Sequence, residues 1–232
     1  MPPLDGRVAV VTGASRGIGA AIAAALRTAG ARVVRAARSL ADGREDGYHD
    51  LRCDVSDAAA VDGFARRVRD EYGVPEVVVS NAGAFVLKPI EQTTTAELEG
   101  QIAANLRGPF YVARAFLPGM RDAGRGAFIT VGSVADHVAF PENAAYAATK
   151  FGLRGLHETL VAEYRGSGVR LTLVSPGPTD TSVWDPVNPD AREGFIHRAG
   201  MLRPADVAEA VLFAASRPPH VHLDWLRINP LT

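Results

Sequence analysis

"RVAVVTGASRGIGAAIAAALRTAG" occupies residues 7–30. Residues 8–11 are apolar and rich in valine, so 7–12 show the pattern of a strand buried on both faces. Residues 18–30 repeat apolar side chains at helical spacing and stop on Gly30. Between them lies TGASRGIG, residues 12–19. Strand, glycine turn and helix N-terminus in that order make an anion cradle. Glycines let the backbone approach a pyrophosphate, and the free N–H groups with the helix dipole favour negative charge. Glycine turns also occur in α/β folds that bind no nucleotide. The spacing Gly13-x3-Gly17-x-Gly19 departs from the dinucleotide fingerprint G-x-G-x-x-G, so the turn needs support from the rest of the chain.

Outward from this unit the alternation continues. Short β-branched runs predict strands at 31–37, 49–55, 75–83, 126–133, 169–177 and 222–229. Amphipathic stretches predict helices between them. Residues 57–73 have Asp57 as N-cap and Gly73 as stop. Thr94 and Glu97 have capping-box spacing and open a helix toward Met120, which Pro109 should kink. Further helices are expected at 143–165 and at 204–216, the latter with Pro204 in its first turn. This order predicts an α/β fold, a Rossmann-like doubly wound parallel sheet of about seven strands with helices on both faces. The 232 residues fit one domain, 1–232. Residues 178–200, rich in Pro, Asp and Asn, form a candidate mobile loop or lid over a substrate.

Composition excludes several classes. The net charge of -1 gives no electrostatic case for nucleic acid or an anionic membrane surface. No apolar run approaches the ~18 residues of a membrane helix, and the start of the chain has no signal-peptide pattern. Cys53 is the one cysteine and cannot form an internal disulfide. A cytoplasmic location is the default expectation. His220 and His222 have no third ligand near them in sequence, so no metal site is expected.

Five further features fall in order along the chain: Asn81-Ala82-Gly83 after the fourth predicted strand, Asn105, Ser133 after the fifth, Tyr146-x-x-x-Lys150, and PGPTDT at 176–181. Alone, a Tyr-x-x-x-Lys pair on a helix is ordinarily a packed aromatic beside a snorkelling lysine. Ser133 alone reads as a cap and Asn105 as a buried amide. Together with TGxxxGxG, the set resembles the short-chain dehydrogenase/reductase family over essentially the whole chain.

The resemblance implies a catalytic tetrad of Asn105, Ser133, Tyr146 and Lys150. A free tyrosine has a pKa near 10, and a cation one helical turn away would lower it. Lys150 is one of only two lysines in an arginine-rich chain. Its compact ammonium could bond a cofactor ribose while assisting the phenol. Ser133 would stabilise developing alkoxide charge, and Asn105 would hold a water in a proton relay. The implied cofactor contacts are Gly13, Ser15, Arg16, Gly17, Ile18, Gly19, Arg38, Asp54, Val55, Asn81, Ala82, Gly83, Tyr146, Lys150, Pro176, Gly177, Thr179 and Thr181. Asp54 would lie near the adenine amino group, and Thr179 and Thr181 near the nicotinamide carboxamide and the phosphate. Ala37 stands where enzymes using NAD(H) place a carboxylate, and Arg38 and Arg16 offer cations for a 2′-phosphate, which favours NADP(H) over NAD(H).

Substrate contacts are expected from Ser133, Phe85, His137, Tyr146 and Trp184, and further pocket walls from Ala84, Val134, Phe140, Asn143, Pro178 and Phe195. Most are apolar, which suits a neutral carbonyl or secondary alcohol. Relatives of this kind are mostly tetramers or dimers built on the two long helices, so a homo-oligomer is expected. Departures from the family pattern are Ser80 in place of a first asparagine and a C-terminus without the Gly-Gly…Asp-Gly ending of acyl-carrier-protein reductases. Two other readings compete: a dinucleotide-binding sensor without turnover, and a dehalogenase-like relative using Ser and Tyr without nicotinamide. The complete Asn–Ser–Tyr–Lys set and the intact glycine loop favour the enzyme.

Overall fold

The computed structural model describes residues 3–45 and 47–231. Its strands are β1 (Val8–Thr12), β2 (Arg32–Ala37), β3 (Gly43–Glu45), β4 (Tyr48–Arg52), β5 (Val77–Ser80), β6 (Gly126–Val131), β7 (Val169–Pro176) and β8 (Trp225–Ile228). They form one sheet in the order β3-β4-β2-β1-β5-β6-β7-β8. Every neighbouring pair is parallel except β3 with β4. The expectation of about seven strands falls one short. The extra strand, Gly-Arg-Glu, carries no apolar alternation and is held by its antiparallel register with β4.

The helices are α1 (Gly17–Thr28), α2 (Ala58–Tyr72), α3 (Thr95–Ile102), α4 (Gly108–Asp122), α5 (Ala144–Glu163) and α6 (Pro204–Ala215). Successive strand side chains point to opposite faces. Ala9, Val11, Val33, Val79, Ile129 and Val174 pack with α1 and α6. Val10, Val34, Val78, Phe128 and Leu171 pack with α2 and α4. Both faces are covered, which is why the strands read as continuous apolar runs. The order reverses between β1 and β5, and the crevice at their carboxyl ends is where such sheets bind ligands.

Local signals set the helix ends. Asp57 Oδ1 accepts from Ala59 N–H at 2.8 Å and Ala60 N–H at 3.3 Å, and Gly73 closes α2 at φ 78°. Thr94 and Glu97 form a reciprocal capping box on α3. The break expected at Pro109 takes a specific form: a π-helical turn, Ala103–Arg107, joins α3 to α4. Pro109 has no N–H, so the carbonyls of Ala104 and Asn105 receive no bond from it. Residues 178–200 hold three short 3₁₀ turns. Arg198 ties this segment together through Asp180 at 2.9 Å and Asp185 at 2.5 Å.

Candidate active site

A cleft of about 1430 Å³ runs along the carboxyl edge of the sheet. All the sequence-predicted cofactor and catalytic residues line it. At one end the glycine turn is fixed by close approach. A Cβ on Gly19 would lie 2.2 Å from the Gly13 carbonyl oxygen and 2.5 Å from Asn81 Nδ2. Asn81 donates from Nδ2 to the carbonyls of Thr12 at 2.9 Å and Gly13 at 3.3 Å. Thr12 Oγ1 accepts from the N–H groups of Asn81 and Ala82 at 3.0 and 3.2 Å. Ser80 in place of asparagine leaves this bracing intact. Arg16 stands at the α1 N-cap but makes no side-chain cap, and the first turn of α1 has no acidic residue. The free N–H groups therefore face the cleft, and this end fits a pyrophosphate. Arg16 and Arg38 line the same end. Burial raises the pKa of the Asp54 carboxyl, but bonds from Ser56 and the field of Arg38 leave it below its usual value.

The centre of the cleft joins β6 to α5. The Ser133 hydroxyl lies near enough to the Tyr146 phenol to lower its pKa. Lys150, buried, donates from Nζ to the Val131 carbonyl at 3.3 Å and lies 5.6 Å from the Tyr146 ring centroid. Burial dominates both titrations. It pushes the phenol up to about 12 against the lowering influence of Ser133, and the field of Asp136 adds to the rise. Burial pushes the Lys150 ammonium down to about 8, with Asp136 opposing. Tyr146 as a residue is only part-buried, because its ring is cleft wall; a ligand against that wall would complete its burial. The expected lowering of the phenol by Lys150 is thus not met here, because Nζ is turned to the main chain of β6.

Asn105 is buried in the π turn, and its amide is committed. Oδ1 accepts from Ala84 N–H at 2.8 Å; Nδ2 donates to the Ala84 carbonyl at 2.9 Å and Thr149 Oγ1 at 3.1 Å. The side chain clamps the segment after β5 onto α5.

Asp136 was not among the expected site residues, yet it lies fully buried beneath Ser133. Its Oδ2 accepts from Ser133 N–H at 3.2 Å and Ser175 Oγ at 2.6 Å, and its Oδ1 is 2.6 Å from His137 Nδ1. The signal that could have found it is the capping-box spacing from Ser133 to Asp136. His137 requires a correction. Its ring turns away from the cleft, bonded to Asp136 and packed edge-on against Trp225 at 5.2 Å. It is not among the residues that line the cleft.

At the other end Phe85 packs edge-on against Tyr146 at 4.9 Å and at a tilt against Trp184 at 5.1 Å. Trp184 Nε1 donates to the Thr179 carbonyl at 3.1 Å. The rim also carries an ion pair that the sequence did not suggest, Arg192 Nη2 to Glu142 Oε2 at 2.7 Å. Glu142 sits in the left-handed region at φ 62°, which non-glycine residues adopt at a cost.

A doubly wound sheet with this cleft defines a dinucleotide-binding type of oxidoreductase. The short chain dehydrogenase family model matches residues 7–192, and the chain belongs to that family. It is 38% identical to D-threitol dehydrogenase of Mycolicibacterium smegmatis, covering 92% of this chain and 87% of that one. Among solved structures it resembles an alcohol dehydrogenase of Thermococcus sibiricus complexed with 5-hydroxy-NADP, at TM-score 0.85, 29% identity and coverage of 98% and 97%. It also resembles the aldohexose dehydrogenase of Thermoplasma acidophilum, at TM-score 0.87, 27% identity and coverage of 98% and 94%.

Proposed function

We propose that this oxidoreductase interconverts a carbonyl and a secondary alcohol with NADP(H), using Tyr146 as general acid/base. The observation that carries the reading is the Ser133 hydroxyl beside the Tyr146 phenol, one helical turn from a buried Lys150, in the cleft that ends at the glycine turn. A phenol held near 12 is protonated at neutral pH, the form that donates to a carbonyl oxygen being reduced. Ser133 orients that oxygen and shares its developing charge. Lys150, at about 8, is mostly cationic at pH 7 and stands ready to swing from the Val131 carbonyl toward a ribose and the phenol. The Asn105 amide is spent on bracing, so any role in a proton relay falls to its main-chain carbonyl. The nicotinamide would supply or accept the hydride.

Arg16 and Arg38, with Ala37 rather than a carboxylate at the end of β2, support NADP(H) over NAD(H). The remaining cofactor contacts are those expected from sequence, from Gly13 and Ser15 through Asp54, Asn81 and Thr179 to Thr181. Residues 1–232 act as one catalytic unit, with 178–200 completing the substrate end. No helix among the described residues is long and apolar enough to cross a membrane, and a cytoplasmic location is proposed. Phe110 on α4 and Phe151 on α5 are 47% and 43% exposed, which supports a homo-oligomer built on those helices.

The test is oxidation of NADPH and NADH across aldehydes, ketones and 3-oxo esters, for wild type and Tyr146→Phe. The expected result is turnover with NADPH that falls roughly 10²–10⁴-fold in the variant, with NADPH binding retained. Full activity in Tyr146→Phe would remove the acid/base assignment. A preference for NADH would overturn the roles of Arg16 and Arg38. Binding without turnover on any carbonyl would move the chain to the sensor reading.

A further inference from the structure

Ser133 rests on a carboxyl group sealed from solvent. Asp136 is fully buried, and a buried charge is costly unless it is hydrogen-bonded and matched by another. Its partners decide its form. Trp225 Nε1 donates to Ser175 Oγ at 2.8 Å, which leaves the Ser175 proton for Asp136 Oδ2 at 2.6 Å. The same Oδ2 accepts from Ser133 N–H at 3.2 Å. An oxygen that takes two donors is that of a carboxylate. On its other side Oδ1 lies 2.6 Å from His137 Nδ1, which donates as the Nδ1–H tautomer. The main chain makes room for the group: a Cβ on Gly132 would lie 2.5 Å from Asp136 Oδ2 and 3.2 Å from Ser175 Oγ.

Lys150 has the complementary problem. It is buried, and among the described residues it makes no ion pair; its Nζ donates to the Val131 carbonyl. Burial favours loss of its proton, and the field of Asp136 opposes that loss. Val131 and Ser133 flank Gly132, so the ammonium bonds the main chain on one side of Gly132 and the carboxylate bonds it on the other. The remaining charges around Asp136 have other partners. Arg154 on α5 pairs with Glu158 at 3.2 Å and donates from Nη1 to the Asp136 main-chain carbonyl at 3.3 Å. On β8, Arg227 stacks on the Trp225 ring at 5.0 Å. His157 on α5, with Asp224 beside it, is pushed down to about 4 by burial and is neutral at pH 7. That leaves His137 in contact with the carboxylate, and Tyr146 within its field.

We infer that Asp136 is a positioning residue of this site, a buried carboxylate that anchors Ser133 from beneath and serves as the counter-charge of Lys150. Its part in catalysis rests on the proposed acid/base reading; the charge pair across Gly132 stands on the geometry alone. The anchor is a closed turn. Ser133 Oγ accepts from Ala135 N–H at 3.2 Å while Asp136 holds the Ser133 N–H, so the serine cannot rotate away without breaking both bonds. Through Ser175 and Trp225 the turn is tied to β8 at the edge of the sheet. The negative charge favours the protonated forms of Tyr146 and Lys150, the forms in which the site gives a proton to a carbonyl oxygen.

The experiment compares Asp136→Asn with Ser175→Ala. The first keeps the shape and the Oδ2 acceptor and removes the charge; the second removes one bond and keeps the charge. Asp136→Ser is a second charge-removing variant should the amide not fold. Lys88 and Lys150 are the only lysines, so protein labelled with [13Cε]-lysine gives two resonances, and Lys88→Arg identifies that of Lys150. The first arm titrates this resonance without cofactor or substrate. The midpoint should lie at about 8 in wild type, fall by roughly 0.5 pH or more in Asp136→Asn, and stay with wild type in Ser175→Ala. An unchanged midpoint in Asp136→Asn, or an equal fall in Ser175→Ala, would overturn the inference. So would failure of both charge-removing variants to fold, which would assign the carboxylate to structure alone. The second arm follows NADPH oxidation against pH with the fastest carbonyl among aldehydes, ketones and 3-oxo esters. Asp136→Asn should move the basic limb of kcat to lower pH and leave KM little changed. A limb that stays in place would remove the role in catalysis. Absence of turnover in wild type would remove the dehydrogenase reading instead, and the lysine titration would still decide the charge pair.

Discussion

At the dinucleotide end of the cleft, Thr12, Gly13 and Asn81 hold one another by hydrogen bonds, and Gly19 sits too close to Gly13 for any side chain. At the substrate end, Gln101 and Asn143 hold nothing, and Glu142 keeps a left-handed backbone. The first end offers its ligand main-chain N–H groups from a rigid frame. The second has unpaired buried side chains beneath a rim assembled from distant parts of the chain. The difference separates a frame locked by its own hydrogen bonds from a wall whose buried polar groups are left unpaired.

The most severe way to probe that contrast is to add one methyl at each end. Gly19→Ala drives a Cβ into the Gly13 carbonyl and the Asn81 amide. Overpacking of this kind costs roughly 1–3 kcal/mol or more, and dinucleotide affinity should fall at least 100-fold, read by fluorescence titration. Gly100→Ala also lies on the cleft wall, but its Cβ would meet nothing within 4 Å. It should bind dinucleotide as wild type does and gain roughly 0.5–1 kcal/mol from helix propensity. Similar behaviour of the two variants would erase the contrast.

A third unpaired group tests whether a free buried polar atom must belong to the cleft. His157, on α5, is buried with both ring nitrogens unpaired, but it does not line the cleft. Burial pushes its pKa from 6.5 down to about 4, against the raising influence of the nearby Asp224 backbone. Above pH 6.5 the ring is neutral whether the chain is folded or not, so it carries no pH-dependent penalty. As pH falls toward 4 the unfolded chain takes up a proton that the fold refuses, and stability is lost. The loss should approach roughly 2–3 kcal/mol. Urea unfolding at pH 7.5 and pH 4.5 should show it in wild type and show less of it in His157→Leu. An identical pH dependence in the two would mean that His157 is already paired.

How much of this was legible in sequence follows the same divide. The glycine spacing, Asn81, Tyr146 and Lys150 are short-range patterns whose geometry follows from the strand or helix that carries them, so the sequence brings them to one edge. The capping box at Thr94 and the N-cap at Asp57 were legible for the same reason. Asp136 was open to reading through its spacing from Ser133 and was overlooked. His137 was misplaced because a one-residue step along the turn after Ser133 decides whether a ring faces cleft or core. The Glu142–Arg192 pair joins residues 50 apart in a segment with no periodicity, and the strand β3 depends on its partner. Gln101 reads as a surface residue in a polar helix, and only the packed structure shows it buried.

The finest test of the contrast is the backbone of Glu142. Its φ of 62° and the bond from Lys88 N–H to its carbonyl at 2.7 Å belong to the main chain, whereas its ion pair to Arg192 is half-exposed and worth about 0–1 kcal/mol. Both Glu142→Gly and Glu142→Ala lose the ion pair; only glycine relieves the left-handed strain, which is of order 1 kcal/mol. Glycine's greater unfolded-state entropy takes back part of that gain. Glu142→Gly should therefore unfold within about 1 kcal/mol of wild type, and Glu142→Ala below it. Alanine is favoured over glycine at position 100, so the preference should invert between two positions on one cleft wall. If alanine were at least as stable as glycine at position 142, the left-handed turn would not be imposed by the fold, and the substrate rim would lose the strained anchor that sets it apart from the dinucleotide end.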